Sequence, residues 1–244
     1  MTENLNIRYI IKGNIQHLPP VLRLQTKIPA PMIVYRQEVY NHIQKYYPEY
    51  TDRVLLIPNT KEVKAHLSKE KIRLAIYPAF TSMKRCVEVQ IFHGGLSDKT
   101  HLETPLLSLY DLILFPGQKS ADKVEKANLL SKVIKWDIVG YPKFDPLINN
   151  HLDYKKCFNN DKPTILYAPT WISETRIKNN KKATFRFSPH GESSLPLWGM
   201  EIVKYIPERY NLIVKFHSKV IQDGNSIHKE MTKYVEEHNL SDKV

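Results

Sequence analysis

The sequence predicts an α/β protein built on a mostly parallel sheet with helices on both faces. Three observations predict it. From Arg53 onward, short apolar runs alternate with amphipathic ones. The apolar runs stop at helix- and strand-breaking residues: Ile57 at Pro58, Tyr77 at Pro78, Phe115 at Pro116-Gly117, and Val139 at Gly140-Tyr141-Pro142. Two of the runs deliver a histidine, His93 after Val87–Phe92 and His217 after Leu212–Phe216. In open α/β sheets, ligands bind beyond the carboxyl ends of the strands, so these two positions are the first to weigh as chemistry. Right-handed crossovers go with this topology.

In order along the chain, Ile7 to Ile11 reads as an edge strand, and Pro19-Pro20 and Pro29-Ala30-Pro31 interrupt the segment after it. Met32 to Tyr47 begins apolar and becomes helical, with Val39 and Ile43 one turn apart. Arg53 to Ile57 is a strand. Thr60 to Leu67 is a helix with Thr60 as its N-cap, and Ile72 to Tyr77 is a strand. Val87, Val89 and Ile91 alternate as a buried strand that runs into His93-Gly94-Gly95, where two glycines free the backbone to turn and to approach a ligand. Thr104 to Tyr110 is a short helix, Leu112 to Phe115 a strand, Lys119 to Lys132 a helix, and Asp137 to Val139 a strand.

The stretch Asn149 to Lys162 is polar and reads as a junction, which gives two domains, 1–150 and 161–244. In the second, Thr164 to Tyr167 is a strand that ends in Ala168-Pro169-Thr170-Trp171. A basic loop to about Pro196 comes next, then a helix over Leu197 to Tyr210 and the strand Leu212 to Phe216. The last helix, Ser226 to Leu240, has Ser226 as its N-cap. Two clear strands leave a parallel sheet with an unfinished edge. The expectation is an incomplete second domain, finished by further strands, by docking, or by another copy of the chain in a homo-oligomer.

Composition narrows the classes. With 244 residues, 42% hydrophobic and 25% charged, the chain is long enough to bury a core without staples. Its formal charge of +11 suits nucleic acid, an anionic membrane surface or a phosphorylated substrate, and equally a solvated lysine-rich surface. The densest cluster runs from Arg176 to Arg186. No zinc-finger spacing and no RNP-type aromatic motif accompanies the charge, so nucleic acid is not expected as a partner. Cys86 and Cys157 make neither a disulfide framework nor a metal motif, and no metal-ligand spacing includes His101 or His190. His17 and His66 read as surface residues. The N-terminus lacks the basic and apolar regions of a signal peptide, and no apolar run approaches the roughly 20 residues of a membrane span. The expected location is the cytoplasm, with peripheral contact to a membrane left open.

Four marks sit at strand ends in a fixed order: His93-Gly94-Gly95, Gly140-Tyr141-Pro142-Lys143-Phe144-Asp145, Ala168-Pro169-Thr170-Trp171, and Lys215-Phe216-His217. Together they resemble the CDP-glycerol glycerophosphotransferase family, the polymerases and primases of teichoic acids, over roughly residues 70 to 220. The resemblance implies a GT-B fold, two Rossmann-like domains facing a cleft, with an acceptor-side first domain and a nucleotide-donor second domain. It implies transfer of glycerol phosphate, or another polyol phosphate, from a CDP-activated donor to a hydroxyl of a lipid-linked or polymeric acceptor, with release of CMP and no metal or other cofactor.

Carried over motif by motif, the resemblance makes His93 the base that takes the acceptor hydroxyl's proton, with Gly94 and Gly95 freeing backbone N–H groups for substrate. It puts His217 near the donor phosphates, with Lys215 beside it and the Thr170 hydroxyl donating a hydrogen bond to phosphate. Phe92 stands where the family commonly has Trp, and Gly95 where it has Thr. A later Asp-Tyr-Ser-Ser-type motif, which holds the donor pyrophosphate in the family, has no counterpart up to Val244. Two rival readings remain. One is a nucleotide-sugar glycosyltransferase or epimerase of the same architecture, since Gly-Tyr-Pro also resembles the Gly-Asn-Pro turn of UDP-sugar epimerases. The other is an inactive truncated homologue that only binds anionic polymer.

Overall fold

The computed structural model describes residues 6–94, 104–149, 157–176, 183–186, 193–217, 220–221 and 225–244. The chain divides into two compact units, Met1–Leu152 and Asp153–Val244.

The first unit holds seven strands, β1 (Ile7–Ile11), β2 (Met32–Val34), β3 (Val54–Leu56), β4 (Leu74–Tyr77), β5 (Val87–Gln90), β6 (Leu112–Phe115) and β7 (Trp136–Ile138). All pair in parallel, in the order β3-β2-β1-β4-β5-β6-β7. The unit is α/β with a Rossmann-like sheet. The direction of winding reverses between β1 and β4, and this is where such sheets open a crevice. β1 is therefore central, not an edge. Tyr9, Ile10 and Ile11 are fully buried, because a parallel strand is covered on both faces and carries a continuous apolar run instead of an alternating one.

One face of the sheet packs α1 (Leu18–Gln25) and α2 (Gln37–Tyr46) over Tyr9, Ile11, Met32, Val34, Val89 and Ile91. The other face packs α3 (Thr60–Lys69) and α4 (Gln118–Lys126) over Ile10, Ile33, Tyr77 and Ile113. The cap of α3 is Asn59, whose side chain accepts from the Glu62 N–H, and Thr60 is already helical. α4 stops at Lys126, short of Lys132, because Asn128 takes a left-handed conformation (φ 54°) and a 3-10 turn comes after it at Leu130–Lys132.

The β4–β5 connection, residues 78–86, contains no helix. A fully buried carboxylate on β5 anchors it instead. Glu88 Oε1 accepts from Tyr77 Oη at 2.9 Å, Met83 N at 2.7 Å and Lys84 N at 2.6 Å. Gln90, equally buried, donates to the Ala79 carbonyl, and Tyr110 Oη accepts from Thr81 N and donates to Thr81 O. The polar half of the alternation in β5 is thus not a solvent face. It satisfies the backbone of a loop lying where a helix usually would.

In the second unit, β8 (Thr164–Tyr167) pairs in parallel with β11 (Asn211–Val214). α6 (Leu195–Tyr205) and α7 (Ser226–Glu237) pack on Ile165, Tyr167, Leu212 and Val214. Asn225, not Ser226, caps α7, accepting from Ile227 N. The segment that reads as one basic loop contains two strands, β9 (Ser173–Arg176) and β10 (Ala183–Arg186), paired antiparallel. Their connecting residues, 177–182, lie outside the described residues.

Replacing Glu88 with Ala strands three donors, two of them, Tyr77 Oη and Met83 N, in buried hydrogen bonds. The expected loss is at least about 3 kcal/mol of unfolding free energy in urea titration. A loss below about 1 kcal/mol would show that the loop does not depend on this carboxylate.

Candidate functional site

The site assembles at the carboxyl edge of the first unit's sheet. β5 ends at Gln90, and Phe92 then takes a left-handed backbone (φ 57°), an uncommon conformation for a bulky residue that costs on the order of 1 kcal/mol. It is held there by its N–H, donated to Gln90 Oε1 at 3.0 Å, and by its ring, edge-on to Phe80 and stacked with Phe115, both at 5.7 Å. The turn expected from two glycines is made by Phe92. Gly94 has no left-handed φ, and the space where a Cβ would lie is open; Gly95 lies outside the described residues.

His93 comes directly after this turn, partly buried, with Nδ1 2.8 Å from the Pro78 carbonyl oxygen at the end of β4. A carbonyl oxygen only accepts, so Nδ1 carries the proton. In the neutral ring, Nε2 is then the proton acceptor, the tautomer that a general base requires.

A second histidine, expected on the surface, sits against the first. His17 lies at the entry to α1, is buried, and packs its ring on His93 with centroids 3.9 Å apart at 58°. Its position depends on Gly13. A Cβ on residue 13 would come within 1.4 Å of His17 Nδ1, so only glycine leaves room for the ring. Burial, with help from charge on His93 and Arg36, pushes the His17 pKa down to about 4. His17 is neutral at neutral pH.

The Gly-Tyr-Pro turn after β7 reaches the same place. Gly140 is left-handed (φ 82°), and Tyr141, its hydroxyl pKa raised by burial, donates its Oη hydrogen to the His93 carbonyl oxygen. Asp145, at the start of the short helix α5 (Asp145–Ile148), pairs with Arg23 on α1 at 3.6 Å. The loops after β1, β4, β5 and β7 therefore meet around two imidazoles.

In the second unit, the two remaining motifs are neighbours because β8 and β11 are neighbours. The His217 ring lies 6.3 Å from that of Trp171. Lys215 continues the ladder through its N–H to the Tyr167 carbonyl and leaves its side chain exposed. Thr170 is exposed, and its carbonyl accepts from Ser193 Oγ at 2.6 Å. Lys215, His217, Thr170 and Trp171 thus belong to one strand-end cluster.

Of the residues singled out in the sequence, His93 and Tyr141 come together in one unit, and Thr170, Lys215 and His217 in the other. His101, His190 and Gly95 lie outside the described residues. His66 is partly buried, with its pKa lowered chiefly by desolvation. Among the described residues no group of three or more His, Cys, Asp or Glu could hold a metal ion, and no helix is long and apolar enough to cross a membrane. No protein-family model and no curated protein matches the chain. The resemblance therefore rests on the motifs and their order.

The His17 shift makes a prediction with a defined sign. The unfolded chain protonates this residue near 6.5 and the folded state near 4, so between these values the unfolded state binds more protons. Stability falls as pH drops from 6.5 through about 4. His17→Phe, which cannot titrate, is expected to flatten the melting temperature against pH in this window. Parallel wild-type and variant curves would contradict a buried neutral His17.

Proposed function

We propose that the chain is a transferase that moves glycerol phosphate, or another polyol phosphate, from a CDP-activated donor to an acceptor hydroxyl on a cell-wall or surface polymer. The observation that carries the reading is His93. It lies at the carboxyl end of a central strand, with Nδ1 committed to the Pro78 carbonyl, which makes Nε2 the atom that takes a hydroxyl proton. As the acceptor oxygen bonds to phosphorus, the bond from phosphorus to the CMP oxygen breaks, and the hydroxyl proton passes to His93.

The first unit suits the acceptor better than the nucleotide. Dinucleotide-binding sheets cradle phosphate with a Gly-rich turn after β1 and the N–H groups opening α1. Here the turn is Lys12-Gly13-Asn14, and α1 opens Leu18-Pro19-Pro20, with two of its first N–H groups missing. The donor is assigned to the second unit. There His217, with Lys215 and Thr170, offsets charge on the leaving CMP. The reading requires the two units to face each other across a cleft, as in a GT-B enzyme. It also implies work in the cytoplasm, peripherally at the inner membrane face, on a lipid-linked acceptor.

The test is release of CMP from CDP-glycerol by the full chain in the presence of a glycerol-phosphate primer. His93→Ala is expected to lower the rate by roughly 10²- to 10⁴-fold. His217→Ala is expected to raise the KM for donor more than that for acceptor. A full rate in His93→Ala excludes it as the base. Turnover of a UDP-sugar but not of CDP-glycerol transfers the site to a nucleotide-sugar enzyme. Binding of anionic polymer without CMP release makes the chain a binding module.

A further inference from the structure

We infer that His17 is a positioning residue that holds the His93 ring in its proton-accepting orientation by packing alone, with the proton always taken by His93. The inference rests on the reading of His93 as a proton acceptor and assigns a role to a residue outside the four motifs.

The two rings are not equivalent. An imidazolium has two N–H donors, and a buried one needs an acceptor for each. His93 Nδ1 already donates to the Pro78 carbonyl, so a proton arriving at Nε2 completes a cation whose Nδ1–H is already paired. His17 Nδ1 is buried against Gly13 and has no hydrogen-bond partner among the described residues. A proton there would be a buried, unsatisfied charge. The charges that reach His17 come from His93, beyond β5, and Arg36, between β2 and α2; both are positive, and no carboxylate contributes. With ring centroids 3.9 Å apart, a second proton on the pair is opposed by the first. The pair therefore takes up at most one added proton, and hydrogen-bond supply decides which ring receives it.

Packing does the rest. The Pro78 carbonyl holds one nitrogen of His93, and the His17 ring, wedged over Gly13, packs against the imidazole and limits its rotation. Any flat ring of similar size at residue 17 does the same work, whether or not it titrates. This separates positioning from proton relay, in which His17 itself would have to carry the proton.

The experiment is imidazole ¹⁵N NMR of the full chain, with His93 assigned by His93→Gln, in wild type, His17→Phe, His17→Ala and Gly13→Ala. Wild type and His17→Phe are expected to show His93 as the Nδ1–H tautomer with the same titration midpoint. His17→Ala and Gly13→Ala, which removes the space for the ring, are expected to give both tautomers and a shifted midpoint. If Gly13→Ala does not fold, the Phe and Ala variants of residue 17 decide alone. His17→Ala indistinguishable from wild type overturns the positioning role, and His17→Phe behaving like His17→Ala overturns packing as its means. The measurement needs no turnover, so it fails or succeeds separately from the phosphotransfer reading.

Discussion

Glu88 lies on a central strand with no solvent exposure, and three donors converge on one of its oxygens. Removing a carboxylate from water costs several kcal/mol, and charge-assisted hydrogen bonds are among the few interactions that offset it. The other oxygen has no partner among the described residues, so the compensation is concentrated on Oε1. That asymmetry sets the path of residues 78–86. Met83 and Lys84 are drawn down onto the sheet, and Gln90 and Tyr110 fix Ala79 and Thr81. The loop can then present the Pro78 carbonyl to His93 as a fixed acceptor. The chemistry of the candidate base depends on a polar anchor two residues below the end of the same strand.

The topology explains why such an anchor is needed here. Four of the crossovers in the first unit's sheet carry a helix: α1, α2, α3 and α4. The β4–β5 crossover does not, and it lies beside the point where winding reverses. A helix satisfies its own backbone, whereas a loop over a buried sheet must find partners elsewhere. The strand beneath supplies them, which is why Glu88 and Gln90 occupy positions that a parallel strand usually fills with apolar side chains. The strain at Phe92 has the same origin. The chain leaves β5 under this loop and reverses in a conformation that its hydrogen bond to the Gln90 side chain and its packing with Phe80 and Phe115 hold in place.

Much of this architecture is legible in the sequence. The strand–helix rhythm and its proline and glycine stops place β3 to β8 and β11 within a residue or two. The rest is hidden for physical reasons. β1 reads as an edge because its neighbours are fixed by long-range pairing, to Met32 and to Leu74, and not by local pattern. Glu88 and Gln90 look solvent-facing because alternation reports polarity, not burial. His17 carries one faint signal, Gly13 four residues before it. The reason for that glycine appears only when the ring is seen over its Cα. The hairpin β9–β10 escapes notice because its strands lie in a lysine-rich run that reads as loop by composition.

Residue type alone does not choose His93 among the histidines of the first unit. His17 and His66 are chemically the same group, and each has a buried ring nitrogen without a partner among the described residues. Desolvation lowers the proton affinity of both, and for His66 the attraction of Glu70 is outweighed. His93 differs in having a backbone carbonyl that accepts from one nitrogen. That single bond fixes the tautomer, puts the ring's lone pair on the second nitrogen, and supplies part of what an imidazolium needs once a proton arrives. A strand end gives such a carbonyl readily, because the chain just past β4 has left the ladder where β5 turns away. The carboxyl edge of a parallel sheet thus provides more than a crevice. It provides backbone acceptors outside the ladder, and a carbonyl of this kind fixes the tautomer of a histidine placed beside it.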